Sequence, residues 1–341
     1  MKGQLRNKRT VTSYDVARLA GVSQSAVSRV FSPDASVSDA MTRRVREAAD
    51  QLGYRPNRLA QAMITGRSRI VALVVAHFEN QFFSEAFERL ALELQARNYH
   101  VLTFMAADVA GKTDQVIEEL LDYRVEGLIT ASVGLSNELT RAINDADIPI
   151  VMFNRSQDHP DLSGVSSDNV TGGRAVADYL LQSGCRRIAH IAGWHGASTQ
   201  RDREAGFLAG LAAAGHTLFA REVGDFHHDQ AESATRRMFA TATRPDAVFV
   251  ANDHMAFAVM DVLRHDLGLR VPEDVSVIGY DDVPMARWKS YNLTTVRQPV
   301  RRMVSATVDL LLDRIAAPDA EAQRLVFEGQ VVERGTVRRP D

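Results

Sequence analysis

At 341 residues and 45% hydrophobic, the chain is too long for a single core and points to two or three domains. Its one cysteine, Cys185, excludes an intrachain disulfide framework and fits a reducing cytoplasm. No apolar run reaches the roughly 18 residues that span a bilayer, and the basic start lacks the apolar segment of a signal peptide. The net charge of −3 hides a split: residues 1–67 hold 12 Lys or Arg against 5 Asp or Glu, the remainder 28 against 38. Such a head attracts phosphates in a salt-sensitive way, and an acidic body avoids sticking to nucleic acid elsewhere.

Val11 to Phe31, VTSYDVARLAGVSQSAVSRVF, predicts two short helices around Ala20-Gly21-Val22. Thr12, three residues before Asp15, predicts a capping-box-like start whose hydroxyl accepts from backbone amides, and Ser23 caps the second helix over Gln24–Phe31. Val22, Ala26, Val27 and Val30 form its apolar face, leaving Gln24, Ser25, Ser28 and Arg29 outward. Two helices about a glycine-containing three-residue turn are the sequence form of a helix-turn-helix, whose second helix reads base edges in a major groove. A third helix follows, capped by Ser38, with Val45, Ala48, Ala49 and Leu52 inward, ended by Gly53. Tyr54 to Ser68 reads as a linker carrying a short helix over Asn57–Met63, too short to be stable alone and ordered by DNA or a partner subunit.

From Ile70 the pattern changes to apolar strands alternating with amphipathic helices. Strands are predicted over Ile70–Ala76, His100–Met105, Gly127–Ala131 and Pro149–Phe153, with helices over Ser84–Arg97, Asp114–Tyr123 and Asn137–Ala146 between them. A second series has a helix over Thr171–Ser183 and strands over Arg187–Ala192, Asp246–Ala251 and Val275–Tyr280. The expected fold is a small all-α helix-turn-helix head on an α/β two-lobed core of two doubly wound parallel-sheet subdomains, with ligands beyond the strands' carboxyl ends and between the lobes.

The chain resembles the lactose-repressor/galactose-repressor family of transcriptional regulators over nearly its full length. The match is carried by VTSYDVARLAGVSQSAVSRVF, VSDAMTRRVREAADQLGYRPNRLAQAM, RDREAGF, the Ala251–Asp253 triplet AND, and IGYDD at Ile278–Asp282. The resemblance implies a periplasmic-binding-protein-like core and a domain order of 1–56 (head), 57–68 (hinge helix and linker), 69–165 with 297–324 (first lobe), and 166–296 with 325–341 (second lobe). It assigns base reading to Gln24, Ser25 and Arg29; Gln suits adenine and Arg suits guanine in bidentate pairs. Thr12, Ser23, Ser28, Ser38, Tyr54 and Asn57 fall on positions that contact phosphates. Ala60 and Met63 fall on the minor-groove hinge, with Met63 where the family usually has leucine. Asn154, Arg203, Asn252 and Asp281 fall on effector-contacting positions, a set whose amides, guanidinium and carboxylate suit a polyhydroxylated ligand. Asn154 stands where many members have Asp, and Asn80-Gln81 where Asn-Pro is frequent.

The resemblance implies a repressor binding a pseudo-palindromic operator as a cytoplasmic homodimer, under allosteric control by a sugar or sugar acid, with no cofactor, metal or membrane partner. A C-terminus without a leucine heptad after GTVRRPD predicts a dimer rather than a tetramer. Phe78, Phe82, Phe83 and Trp288 lie near the expected cleft, and Arg155, Arg201 and His195 suit an anionic group equally with plain solvation. Catalytic readings are weak: Gly111-Lys112-Thr113 lacks a P-loop's first glycine at Ala106, and His227-His228 lacks further metal ligands. Asp281-Asp282 suits a strand-end cap plus a ligand acceptor as well as a carboxylate pair, and Cys185 has no nucleophile's partner nearby in sequence. A transport-type solute-binding protein would share the core but not the basic head.

Overall fold

In the computed structural model the described residues are 11–31, 37–55, 67–76, 78–105, 120, 122–131, 143, 145–157, 159 and 162–339. The chain divides into a unit ending at Arg69 and a unit from Ile70 onward. The first contains α1 (Ser13–Ala20), α2 (Gln24–Val30) and α3 (Asp39–Leu52). Gly21 ends α1 with φ of 63°, a left-handed backbone that a side chain would strain, and Val22 N–H reaches back to the Ala17 carbonyl. Ser23 accepts from Ala26 N–H at 3.2 Å, so the predicted cap of α2 is formed. Thr12 and Asp15 form the expected capping box, the Thr12 side chain facing Asp15 N–H while Thr12 N–H donates to the Asp15 carboxylate at 3.0 Å, and the Thr12 hydroxyl donates to the same oxygen at 2.8 Å. Ser38 occupies the cap position of α3 without a side-chain bond. Val16, Val27 and Val45, one from each helix, are fully buried at the centre of this small core.

The second unit holds two six-stranded sheets. Its elements in chain order are β1 (Ile70–Val75), α4 (Gln81–Ala96), β2 (His100–Met105), β3 (Gly127–Ala131), β4 (Ile150–Phe153), β5 (Ser163–Ser167) and α5 (Asn169–Gln182). Then come β6 (Ile188–Ala192), α6 (Ser198–Ala213), β7 (Ala220–Val223), α7 (His228–Phe239), β8 (Ala247–Val250) and α8 (Asp253–Asp261). The chain ends with β9 (Ser276–Asp281), β10 (Thr294–Arg297), α9 (Val300–Ala316), β11 (Arg324–Phe327) and β12 (Gln330–Val332). The sheet orders are β11-β5-β4-β3-β1-β2 and β12-β10-β9-β8-β6-β7, parallel throughout except for β12 against β10. Along β1, Val71, Leu73 and Val75 pack on one side of the sheet and Ala72 and Val74 on the other, so both faces are buried and the strand reads as continuously apolar.

α4 starts at Gln81, three residues before the predicted Ser84, because the Asn80 side chain caps it by accepting from Phe82 N–H at 3.0 Å. The chain passes between sheets three times. The expected boundaries at 165/166, 296/297 and 324/325 need correction, because β5, β10 and β11 run on to Ser167, Arg297 and Phe327. The cause at the third is β11, which pairs in register with β5, Arg324 opposite Gly164 and Phe327 opposite Ser167, and so belongs to the first sheet. Residues 57–66 of the predicted hinge, including Asn57, Ala60 and Met63, lie outside the described residues, as do residues 111–113 and most of the helices expected near 114–123 and 137–146.

Candidate functional site

In the head, α2 buries Ala26, Val27 and Val30 and turns Ser25 and Arg29 to solvent. Gln24 is half-buried and donates its amide to the Ser13 hydroxyl at 3.2 Å, and Ser25 and Ser23 share a 2.9 Å hydroxyl contact. Two of the expected base-reading side chains are thus held locally, each by a bond that a base edge or phosphate can replace. Thr12 and Ser38 are exposed; Ser28 is half-buried. Tyr54 packs its ring 6.0 Å from that of Phe31 against the head's core, so any phosphate contact falls to its hydroxyl end. Arg43, Arg44 and Arg46 are exposed along α3.

In the core, the carboxyl ends of strands from both sheets face a cavity of about 390 Å³. All four expected effector residues, Asn154, Arg203, Asn252 and Asp281, line it. Asn154 follows β4 and Asn252 follows β8; Asp281 ends β9. Arg203 arrives from α6, which packs on α5 closely enough that a Cβ at Gly206 would collide with the Val170 carbonyl. Asn154 and Asp281 have φ of 71° and 130°, outside the range non-glycine residues adopt freely; such strain, about 1–3 kcal/mol each, gathers at binding sites.

Arg203 is 2% exposed and held on several sides. Its Nε donates to Asn169 Oδ1 at 2.9 Å, one Nη donates to the Ala251 carbonyl at 2.7 Å, and the guanidinium stacks 3.7 Å over the Tyr280 ring. The other Nη stands 3.5 Å from Asp281 and makes no hydrogen bond among the described residues. Asn154 Oδ1 is likewise buried without a partner among the described residues. A desolvated donor and a desolvated acceptor facing one cavity are what a ligand hydroxyl, donor and acceptor at once, satisfies. Burial raises the Asp281 carboxyl above the usual carboxylate range; Arg203 and the amides of Gln298 and Asn80 pull it back only in part. Asp253 behind it is raised by burial and by Asp281, and is held by Thr295 and by Val283 N–H.

Phe78, Phe82, Phe83 and Arg155 line the cavity; Trp288 is exposed outside it, and Arg201 turns away to the carbonyls of His195 and Gly196. The sequence reading missed Met105, Thr199, Phe226 and His254, and singled out Asn80 and His227 without placing them in the cavity. Met105 ends β2, while Phe226, His227 and His254 follow β7 and β8, so the one usable signal was position after a strand end. Asp281 and Asp282 are no catalytic pair: Asp282 turns to Arg297 at 2.6 Å and to Arg334. Cys185 is buried, and burial pushes its thiol upward, away from the reactive thiolate. Among the described residues no three His, Cys, Asp or Glu side chains group to hold a metal, and no helix is long and apolar enough to cross a membrane.

Residues 12–57 match the bacterial regulatory proteins of the lacI family, and residues 177–337 match a periplasmic binding protein-like domain. The chain is 32% identical to the HTH-type transcriptional repressor PurR of Vibrio atlanticus, covering 96% of this chain and 98% of that protein. A structure of the lac repressor dimer bound to operator and the anti-inducer ONPF superposes with a TM-score of 0.87 at 28% identity, covering 97% of this chain and all of that one. The transcriptional regulator CelR–cellobiose complex gives 0.73 at 33% identity, covering 96% and 99%.

Proposed function

Because the chain belongs to the lacI family of bacterial regulatory proteins, and is therefore a DNA-binding transcription regulator rather than an enzyme, we propose how it is controlled. It represses as a homodimer on a pseudo-palindromic operator, and a polyhydroxylated effector, a sugar or sugar acid, sits between the lobes. The observation that carries this reading is the pair of unmatched polar atoms, Arg203 Nη and Asn154 Oδ1, in a cavity also walled by phenylalanines. Asn252 and Asp281 complete the polar set, and the aromatic faces suit the apolar side of a sugar ring.

Gln24, Ser25 and Arg29 read bases, while Thr12, Ser23, Ser28, Ser38, Tyr54 and Asn57 hold the backbone. Ala60 and Met63 enter the minor groove from the hinge at 57–68. Two heads on one face of the duplex require half-sites about 34–36 Å apart or a multiple of that. The effector changes the angle between the lobes about the three crossings, and the hinge carries that change to the heads. Coupling of this kind amounts to about 1–3 kcal/mol and is reciprocal, so operator DNA shifts effector affinity equally.

Fluorescence anisotropy with a pool of palindromic duplexes at two salt concentrations, with and without sugars and sugar acids, tests this. The expected result is salt-sensitive binding to a subset, altered by one compound and weakened about 5- to 150-fold on that subset by Arg29→Ala. A sugar bound tightly with no duplex preferred would sink the repressor reading in favour of solute transport.

A further inference from the structure

A second cavity, of about 440 Å³, adjoins the first and shares Phe82 and Asp281 with it. Its wall runs from α4 of the first lobe through Asp281–Val283 and Arg287 of the second to the start of α9, and carries Arg89, Arg287, Arg297, Arg301 and Arg302. Three carboxylates also line it, and each is already engaged: Glu85 by Arg89 at 2.8 Å, Asp282 by Arg297 at 2.6 Å, and Asp281 by Gln298 at 2.7 Å. Arg287 and Arg301 are exposed and take part in no hydrogen bond or ion pair among the described residues. Arg302 lies over the Phe327 ring at 4.9 Å.

Arg301 and Arg302 occupy the first turn of the 17-residue α9, and that turn contains no acidic residue. Free amides and the helix dipole make that end positive, so two cations there are unfavourably placed unless an anion joins them. Independently, Gln298 is 2% exposed, gives its amide protons to Asp281, and leaves Oε1 buried with no donor among the described residues.

We propose that this cavity binds a small phosphorylated compound, distinct from the effector between the lobes. Arginine forks match phosphate oxygens in pairs, the helix end supplies amides, and the proton of a hydrogen phosphate group supplies the donor that Gln298 Oε1 lacks. With groups from both lobes on its wall, the cavity lets the phosphate span them.

The test is isothermal titration of the full-length protein with inorganic pyrophosphate, beside Arg287→Gln/Arg301→Gln and the charge-keeping Arg301→Lys. Expected are one saturable site per chain, at least tenfold weaker in the double variant and within a few-fold of wild type in Arg301→Lys. Equal binding by wild type and double variant would assign the anion to the basic head and overturn the proposal, as would no saturable site. Citrate binding as tightly as pyrophosphate would overturn the preference for phosphate. Sedimentation decides the remaining occupant: if the double variant dissociates while wild type binds no pyrophosphate, the arginines serve carboxylates of a second copy and the proposal fails. Should the double variant melt early, Arg301→Lys decides: an intact fold that binds pyrophosphate within a few-fold of wild type carries the proposal, and an intact fold with no saturable site overturns it.

Discussion

The outward face of α2 and the cavity between the lobes both present polar side chains for recognition, under opposite physical conditions. On α2, Ser25 and Arg29 stand in water, and the contacts of Gln24 and Ser25 are single bonds to neighbours. In the cavity, Arg203 is pinned by Asn169, Ala251 and Tyr280 before any ligand arrives. The exposed surface spends little on keeping its residues polar and pairs them only on contact; the buried one is ordered in advance and depends on every member. Substitutions should therefore separate recognition from stability in the head and fail to do so in the core.

The largest effect is expected at Arg203. Arg203→Ala leaves Asp281 buried without its cation, which costs about 3–5 kcal/mol of stability in urea unfolding and removes effector binding as well. Because burial already raises Asp281, the carboxyl escapes by taking a proton, so the loss is smaller at pH 5 than at pH 8. Retention of full stability at pH 8 would mean that Arg203 is held by ligand chemistry alone and would break the contrast between head and core.

A smaller effect is expected at His190, buried in the second lobe away from either cavity wall. Its Nδ1 meets the Phe249 carbonyl at 2.9 Å, its Nε2 meets the Gln200 amide at 3.2 Å, and its ring stacks 4.8 Å from Phe249. Burial lowers its pKa from 6.5 to about 4. The unfolded chain therefore takes up a proton near pH 6.5 that the folded chain refuses until about pH 4, so this contribution is whole above pH 6.5 and drains away below it. Relative to His190→Gln, wild type should lose about 2 kcal/mol between pH 7 and pH 5. The comparison with the variant matters because Asp253 and Asp281, raised by burial, act in the opposite sense and weaken the fold as pH rises. A wild-type-minus-variant difference that stays flat with pH would show the imidazole to be hydrated.

The same contrast governs what the sequence disclosed. The α2 face was legible because a 3.6-residue period and a serine cap act within one helix, and β1, β3 and β6 because strands buried on both faces read as largely apolar runs. The strand Ser163–Ser167 has one large apolar residue and β12 only three residues, so their strand character comes from partners far along the chain. In the site, Asn154, Arg203, Asn252 and Asp281 were legible through family motifs. Met105, Phe226 and His254 carry no ligand signature in sequence and enter only because sheet topology brings the ends of β2, β7 and β8 to one cavity.

Ser23 lies on the border between the two regimes and gives the smallest and most diagnostic effect. It is exposed, as a phosphate contact must be, yet its hydroxyl also caps α2 by accepting from Ala26 N–H. Ser23→Ala removes both roles, while Ser23→Asp keeps the cap acceptor and sets a negative charge where the backbone phosphate would lie. Loss of a cap costs about 1 kcal/mol, so Ser23→Ala should destabilise the head by that amount, seen as earlier melting of its helices, and Ser23→Asp should not. On operator DNA the order reverses: Ser23→Asp binds more weakly than Ser23→Ala, because like charges repel at the contact. If both variants bound DNA as the wild type does, Ser23 would be a cap and nothing more, and the phosphate contacts would rest on its neighbours.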